Sequence, residues 1–385
     1  VTAGLLQDAR RALRGWRRSP GFLAVALLTM AAGIGATTAV FSAVDAVLLR
    51  PLPYPEPERL IAIHSTHARR GLSGETVSYP DVSDWRAQNT TLAGMAAFRS
   101  SGAVIGGAQP EYVPAGRVTP DLFHLLGVPP ALGATFPPEA LDRPEKVVVL
   151  SHGLWQRRFG GEASVIGRGV VIDGEGFTVI GVLPPAWEAP FELDRAELFV
   201  PLSLDGENLT QRGSRYLSAL ARLRPGATRA QAAAELAAIS RRLETAYPEH
   251  NEGRGVSVRA LHEFVVSDAR TPLLVLMAAV ACVLLIAGTN VAHLLLPRAL
   301  ARRREVAIRV ALGASRARVA RELMVEVVLL WILGAAAGAT AASWAVKALV
   351  ALAPADTPRL AHIALDARVL AFAVAAALVT GLLFG

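Results

Sequence analysis

The first long apolar run decides what this chain can be. Gly21 to Leu49 spans 29 residues with a single charge, Asp45. As a helix rising about 1.5 Å per residue it would reach roughly 43 Å, more than the ~30 Å of a bilayer's hydrocarbon core. A cleaved signal peptide carries a shorter apolar stretch, of about 7–15 residues. The run therefore reads as an uncleaved anchor whose far end continues past the bilayer. Arg10, Arg11, Arg14, Arg17 and Arg18 precede it. Leu273–Leu296 follows with 24 uncharged residues. Leu323–Leu352 carries Glu326 and Lys347 near its two ends, where long side chains snorkel to the interfaces. Val369–Gly385 adds 17 residues and ends without a polar tail, so the sequence is expected to be a fragment or half of a longer protein.

Charge fixes the expected orientation. Of the 385 residues, 52% are apolar and 18% charged, against roughly a quarter charged in a soluble domain. The net charge of +7 is uneven: +4 over residues 1–50, −3 over 51–270 and +6 over 271–385. A nucleic-acid binder would place its basic face on the folded domain, and here that domain is slightly acidic. The excess instead flanks the apolar runs, as the positive-inside rule requires. Residues 297–321 hold eight Arg, whereas 353–368 hold two Arg and two Asp. The N-terminus and the 297–321 segment are expected to face the cytoplasm, and 50–270 and 353–368 the opposite side. The single cysteine, Cys282, excludes an intrachain disulfide and leaves the redox compartment open.

The expected fold class is a membrane α-helical protein of four spans, the last incomplete, with a large extracytoplasmic α+β domain inserted between spans one and two. Residues 1–20 form a basic amphipathic segment, 21–49 span one, 50–270 the domain and 271–296 span two. Residues 297–321 form a cytoplasmic loop or helix, 322–352 span three, 353–368 an outer loop and 369–385 span four. Small residues mark helix contacts: Gly33 and Gly35 in span one, and a GxxxG at Gly334 and Gly338 in span three.

Within the domain, Lys146–Leu150 reads as a buried strand and Gly153–Phe159 as a short helix. Two strands, 170–173 and Phe177–Val182, flank Gly174-Glu-Gly176, a hairpin signal. Tyr216–Leu223 reads as a strand closed by Pro225-Gly226. Thr228 with Gln231 fits a capping box. The helix it opens carries Ala232, Leu236, Ile239, Leu243 and Tyr247 on one stripe, a spacing that points to core. Val256, Val258 and Leu261 form the next strand. Strand, helix, strand suggests a ferredoxin-like half unit.

No constellation of residues carries chemistry. The two lysines, Lys146 and Lys347, follow no glycine-rich loop, so the sequence holds no P-loop. It holds no HExxH and no GxSxG. His64 and His67 lie three apart with no further ligand type beside them, a poor metal site. Neither a catalytic residue nor a metal or cofactor of its own is expected. Asn290 and His293 read as a packing contact inside the membrane rather than an ion path.

Three stretches carry a family resemblance. The first runs from Leu13-Arg-Gly-Trp-Arg-Arg-Ser-Pro-Gly-Phe22 through Gly33-Ile-Gly35 to Phe41-Ser-Ala-Val-Asp-Ala-Val-Leu-Leu-Arg-Pro-Leu-Pro-Tyr-Pro55. The second is 148–161, Val-Val-Leu-Ser-His-Gly-Leu-Trp-Gln-Arg-Arg-Phe-Gly-Gly, followed by Gly181-Val-Leu-Pro-Pro185. The third is Arg303-Arg-Glu-Val-Ala-Ile-Arg-Val-Ala-Leu-Gly-Ala-Ser-Arg316. Together they resemble the MacB/FtsX-type permeases of the ABC superfamily, nearest the duplicated permeases first described from Acidobacteria. The resemblance covers essentially the whole chain.

It implies a permease subunit in the bacterial inner membrane, with a periplasmic domain that combines a porter-like α/β part and a mainly β part. It implies ATP bound by a separate cytoplasmic ATPase, and motion passed to the periplasmic domain rather than substrate passed between the spans. It also allows a periplasmic adaptor and an outer-membrane channel as partners. The second repeat of the duplicated subgroup is absent, which implies a partner half or a homodimer. Where relatives carry Cys-Ala-Asn-Val-Ala-Asn-Leu-Leu-Leu-Ala, this chain has Gly288-Thr-Asn-Val-Ala-His-Leu-Leu-Leu-Pro297, and Pro297 is expected to kink or end span two early.

The third stretch matches the helix that docks on the ATPase, which assigns partner binding to Arg303, Arg304, Glu305, Val306, Ile308, Arg309, Val310, Gly313, Ala314, Ser315 and Arg316. From the residues alone, Val306, Val310 and Gly313 form an apolar stripe edged by Arg302, Glu305, Arg309 and Arg316. Such a helix suits a groove on a partner or anionic lipid headgroups equally, and the resemblance favours the groove. Gly313 is expected to end it in a left-handed cap. Two roles stay open: an export or extrusion permease, and a signalling scaffold that activates a periplasmic cell-wall hydrolase without transport.

Overall fold

The computed structural model describes residues 14, 16–17, 19–107, 109–137, 145–311, 316–352 and 363–384. The chain divides into two compact units, Val1–Arg50 with Val266–Gly385, and Pro51–Val265. Four helices are long and apolar enough to cross a membrane: Pro20–Leu49, Leu261–Arg298, Met324–Ala348 and Ala367–Phe384. These are the first to fourth spans, and the α+β unit is inserted between the first two.

In chain order the inserted unit runs β1 (Leu60–His67), β2 (Leu72–Glu75), α1 (Tyr79–Gln88), β3 (Leu92–Ile105), β4 (Glu111–Val118), α2 (Asp121–Leu126) and β5 (Leu132–Gly133). It continues through β6 (Val147–Leu150), α3 (His152–Phe159), β7 (Gly169–Ile172), β8 (Glu175–Val182), β9 (Leu198–Pro201), β10 (Ser218–Leu223), α4 (Arg229–Ala246) and β11 (Arg254–Ala260).

Strands β11, β1, β10 and β3 lie side by side in that order, every neighbour antiparallel. Helix α1 links β1 to β3 around β10, and α4 links β10 to β11 around β1. Two split β-α-β crossovers therefore interlock into a complete ferredoxin-like unit, where the sequence pattern suggested only half of one. Alternation along β1 serves both faces of this sheet. Ile61 and Ile63 face the core of α1 and α4, with Trp85, Met95, Leu236 and Ile239. Leu60 and Ala62 face a second core built around Phe98, Phe123 and Phe199.

Strand β2 pairs with β1, and strands β4 to β9 are inserted between β3 and β10. Strand β3 pairs with β10 along Leu92–Phe98 and with β4 along Phe98–Ile105, so it belongs to both parts. From β4 the pairing passes to β9, β6, β8 and β7, and returns to β3 through Ile105 and Ile172. Six strands thus close a small barrel and leave few free edges. Its interior is filled by Val148, Leu150, Leu154, Val179 and Val182, among others.

Local signals explain most boundaries. Helix α3 starts where Ser151 Oγ accepts the Leu154 N–H, and its C-terminal glycine, Gly160, takes φ 64°. Helix α4 has the reciprocal Thr228–Gln231 capping box, and Ala232, Leu236, Ile239 and Leu243 are buried. Other expectations are corrected. Tyr247 leaves the core stripe: it is 41% exposed, with the Arg212 guanidinium 3.9 Å over its ring. Leu261 opens the second-span helix instead of closing β11. The hairpin turns at Asp173-Gly174, with φ 50° and 82°, a primed turn that needs positive φ at both positions. Gly176 is consequently a strand residue.

One of the two expectations for Pro297, that it ends span two early, is corrected. Leu261–Ala311 is one helix of 51 residues with Pro272 and Pro297 inside it, so the second span runs unbroken into the basic segment. A proline removes one backbone donor, and helices of membrane proteins tolerate that loss where neighbours satisfy the freed carbonyl. The third-span helix likewise starts early, at Arg316, and runs to Leu352.

Candidate functional site

The candidate residues of the membrane unit fall in two places: close helix contacts and the basic end of the second-span helix. The four glycines of the sequence reading divide between different neighbours. A methyl group on Gly35 would sit 2.9 Å from Ala341 Cβ and 3.1 Å from the Gly338 carbonyl. One on Gly338 would sit 2.8 Å from Ile34 Cβ, and one on Gly334 would overlap Met30. These three bring the first and third spans together. Gly33 faces the second span, where a methyl group would meet Ala287 Cβ at 2.8 Å. Residues two apart on a helix point about 200° apart, so Gly33 and Gly35 cannot serve one partner.

The sequence reading missed two further contacts. Gly288 packs against Thr380 and Phe384, and Gly381 against the Trp331 ring. Gly288 stood in a quoted motif, but only the pairing of the spans reveals what it faces. Thr37 adds polar glue: its Oγ1 lies 2.8 Å from its own helix's Gly33 carbonyl and 3.2 Å from the Val280 carbonyl of the second span.

At the basic end, Arg303, Arg304, Glu305, Val306, Ile308, Arg309 and Val310 all lie in the helix that ends at Ala311. Of their side chains only that of Ile308 is described, and it is 54% exposed. Gly313, Ala314 and Ser315, with the expected left-handed cap, lie outside the described residues. Arg316 opens the third-span helix. One turn or so nearer the membrane, Arg298 places its guanidinium 3.6 Å over the Phe22 ring and also contacts Ser19 Oγ, tying the start of this segment to the start of the first span.

The described residues of the inserted unit form no reactive constellation. Among the described residues, no group of three His, Cys, Asp or Glu could hold a metal ion. His64 is buried against Phe264, ring centroids 4.2 Å apart, and burial followed by the charge of Arg259 lowers its pKa to about 4. His64 and His67 point to opposite faces of β1, as odd spacing on a strand demands.

A buried ionic network in this unit ties the segment before β10 to helix α1. Buried Asp81 pairs with Arg212 and Arg215, both at 2.6 Å, and accepts from Asn251 at 3.0 Å. Burial alone would raise the Asp81 pKa, but Arg215, Asn251 and Arg212 outweigh it and lower it. Burial also pulls Arg215 down, yet a guanidinium stays charged at any ordinary pH, so the pair is ionic. A cleft of about 280 Å³ opens at the barrel between Ile172, Phe177, Leu198 and Val200, edged by Arg117, Lys146, Asp173 and Glu175. Three of its charges are engaged: Lys146 lies 3.3 Å from Glu175, and Asp173 accepts the Val104 N–H at 2.7 Å.

A multi-pass membrane protein with an α+β domain inserted after its first span, and no nucleotide-binding loop in its sequence, has the build of a transporter's permease part. Residues 23–239 match the model of the MacB-like periplasmic core domain, and 277–385 that of the FtsX-like permease C-terminal region. The first match covers more than half of the chain, and the protein belongs to this MacB-like, FtsX-like family of ABC permeases.

Curated relatives include the macrolide export ATP-binding/permease protein MacB of Burkholderia cenocepacia, 26% identical over 56% of this chain and 31% of its own length. The MacB of Rhodospirillum rubrum is 30% identical over 54% of this chain and 32% of its own length. The pyoverdine export ATP-binding/permease protein PvdT of Pseudomonas syringae pv. tomato is 27% identical over 62% and 35%. The chain thus spans about a third of the length of the curated relatives it matches. Among solved structures, the periplasmic region of MacB from Actinobacillus actinomycetemcomitans is similar at 14% identity and a TM-score of 0.42, over 60% of this chain and 97% of that one.

Proposed function

We propose that the protein is the membrane subunit of an ABC-type export complex. A separate cytoplasmic ATPase docks on the Arg303–Arg316 region and drives motion of the inserted domain on the periplasmic side of the inner membrane. The observation that carries this reading is the unbroken helix Leu261–Ala311. It starts at the end of the inserted unit, supplies the second span and finishes among the arginines. A helix without a break passes a displacement along its axis with little loss, which suits a subunit that transmits work. The names of the relatives, macrolide and pyoverdine export ATP-binding/permease proteins, support export and an ATP-binding partner. A second permease half, as another copy or a related chain, completes the membrane part, and a periplasmic adaptor and outer-membrane channel extend the complex outward.

The test is affinity purification of the tagged chain from its own membranes, beside a variant with Glu305→Ala and Arg309→Ala. Recovery of an ATP-binding subunit with the wild type and its loss with the variant is the expected result. Absence of any ATPase from both preparations refutes the reading. Recovery of a cell-wall hydrolase in place of adaptor or channel would turn export into signalling.

A further inference from the structure

The second span is the one its own chain covers least. Over its most apolar stretch 11% is buried inside the protein, against 50% for the first span and 22% for each of the third and fourth. The uncovered side is not uniformly apolar, because Asn290 and His293 are both exposed on it. The apolar run ends at Leu296, so Asn290 lies about 9 Å inside that end. Hydroxyls within the spans satisfy themselves: Thr29, Thr289, Thr340 and Ser343 each donate to a carbonyl of their own helix at 2.7–2.9 Å. Asn290 and His293 make no such bond, and among the described residues neither side chain has a hydrogen-bond or ionic partner. The polar contact expected of them inside the membrane is not made within the chain.

The two residues belong to a seam. Ala279, Val283, Ile286, Asn290, His293 and Pro297 are all exposed and follow one another at steps of four and three. That is the period by which two helices pack along their length. Facing lipid, the seam would leave two polar side chains in hydrocarbon, where no water bonds them. The cost disappears when another helix brings donors and acceptors to the same depth. A second copy does so with no further requirement. Copies inserted in one direction and related by a two-fold axis along the membrane normal hold every residue at the depth of its twin. A carboxamide carries both donors and an acceptor, and an uncharged imidazole one of each, so both groups complement themselves.

We propose that this seam is the contact with a second copy of the chain, and that Asn290 and His293 bond across the two-fold axis. The inference rests on the reading above, in which a second permease half completes the membrane part; it names that half and the face it covers. The two parts of the seam have different tasks. Ala279, Val283 and Ile286 supply close packing toward the Leu261 end of the helix. Asn290 and His293, nearer Arg298, fix the register, as a polar residue in a packed helical seam does.

The experiment is cross-linking by copper phenanthroline in the cell's own membranes. Two differently tagged copies of the full chain are co-expressed at low level in a Cys282→Ser background. Ile286→Cys, on the seam, is expected to give a disulfide-linked species carrying both tags. Leu285→Cys, 51% exposed but about 100° further around the helix, should give little of it. Adding Asn290→Leu and His293→Leu to Ile286→Cys should lower the linked fraction about tenfold, the change expected when interhelical hydrogen bonds are lost. These leucines break no polar contact within the chain, and an unchanged membrane yield shows that the variant folds. His293→Asn keeps donors and an acceptor and should stay near wild type. Equal linking at positions 285 and 286, no linking at 286, or no effect of the leucines overturns the proposal. So does an Ile286→Cys product that joins the chain to a different membrane protein. None of these arms needs an ATPase. If the seam links and no ATPase is ever recovered, the permease reading fails alone; if an ATPase co-purifies and the seam does not link two copies, the second copy fails alone.

Discussion

Gly35 and Gly338 leave no space for a methyl group between the first and third spans, whereas a methyl group on Gly21 would meet nothing within 4 Å. In a bilayer the close approach of backbones is itself the attraction, because lipid supplies no hydrophobic drive between helices. Gly338→Leu should therefore cost about 1–3 kcal/mol, the usual range for overpacking, and Gly21→Leu almost nothing. Thermal unfolding of the purified protein checks the pair; equal midpoints would refute the contact. His64 allows a second test, with a definite sign. Its pKa is lowered to about 4 by burial and then by Arg259, while an unfolded histidine sits near its ordinary 6.5. Between those values the unfolded chain binds the extra proton. The stability gained by keeping His64 neutral is complete above pH 6.5, and is lost as pH falls from 6.5 through 4. Up to roughly 3 kcal/mol is at stake. His64→Phe, which keeps a ring against Phe264, should flatten this acid limb in unfolding midpoints measured from pH 7 to 4.

Helix α4 was legible because everything that defines it is local: the Thr228–Gln231 box, a 3–4 stripe and the turn before it. An early end of the second span at Pro297 was one of two outcomes the sequence allowed, and the helix instead continues, because inside a membrane bundle neighbouring helices can satisfy the freed backbone. The barrel was illegible, since its closure depends on pairs such as Ile105–Ile172 that lie far apart in sequence. The glycines of the spans were visible as small residues, yet which span each one faces follows only from the packing. Continuity of the Leu261–Ala311 helix makes a prediction of its own. Replacing exposed Leu300 and Ala301 together with glycine costs about 1 kcal/mol per residue in helix propensity and creates a weak point between the membrane and the basic end. The ATPase should still co-purify, but ATP should no longer change protease sensitivity of the inserted unit. An undiminished response would show that this helix does not carry the motion.

For the whole molecule, the distribution of charge around the four spans predicts a sidedness that can be tested. The inserted region 51–270 carries −3, whereas 271–385 carries +6, with eight arginines packed into 297–321. Moving that many cations across a bilayer during insertion is costly, whereas a large folding domain of near-neutral charge is translocated largely regardless of its charge. The charge map alone therefore predicts residues 297–321 in the cytoplasm and the inserted unit outside. Two exposed side chains report on it: Tyr112 in the inserted unit, 72% exposed, and Ile308 in the basic segment, 54% exposed. In a Cys282→Ser background, Tyr112→Cys should react with a membrane-impermeant maleimide on intact spheroplasts. Ile308→Cys should react only after lysis. The reverse pattern would place the segment proposed to dock the ATPase where no ATP is available, and would remove the transport reading together with the topology.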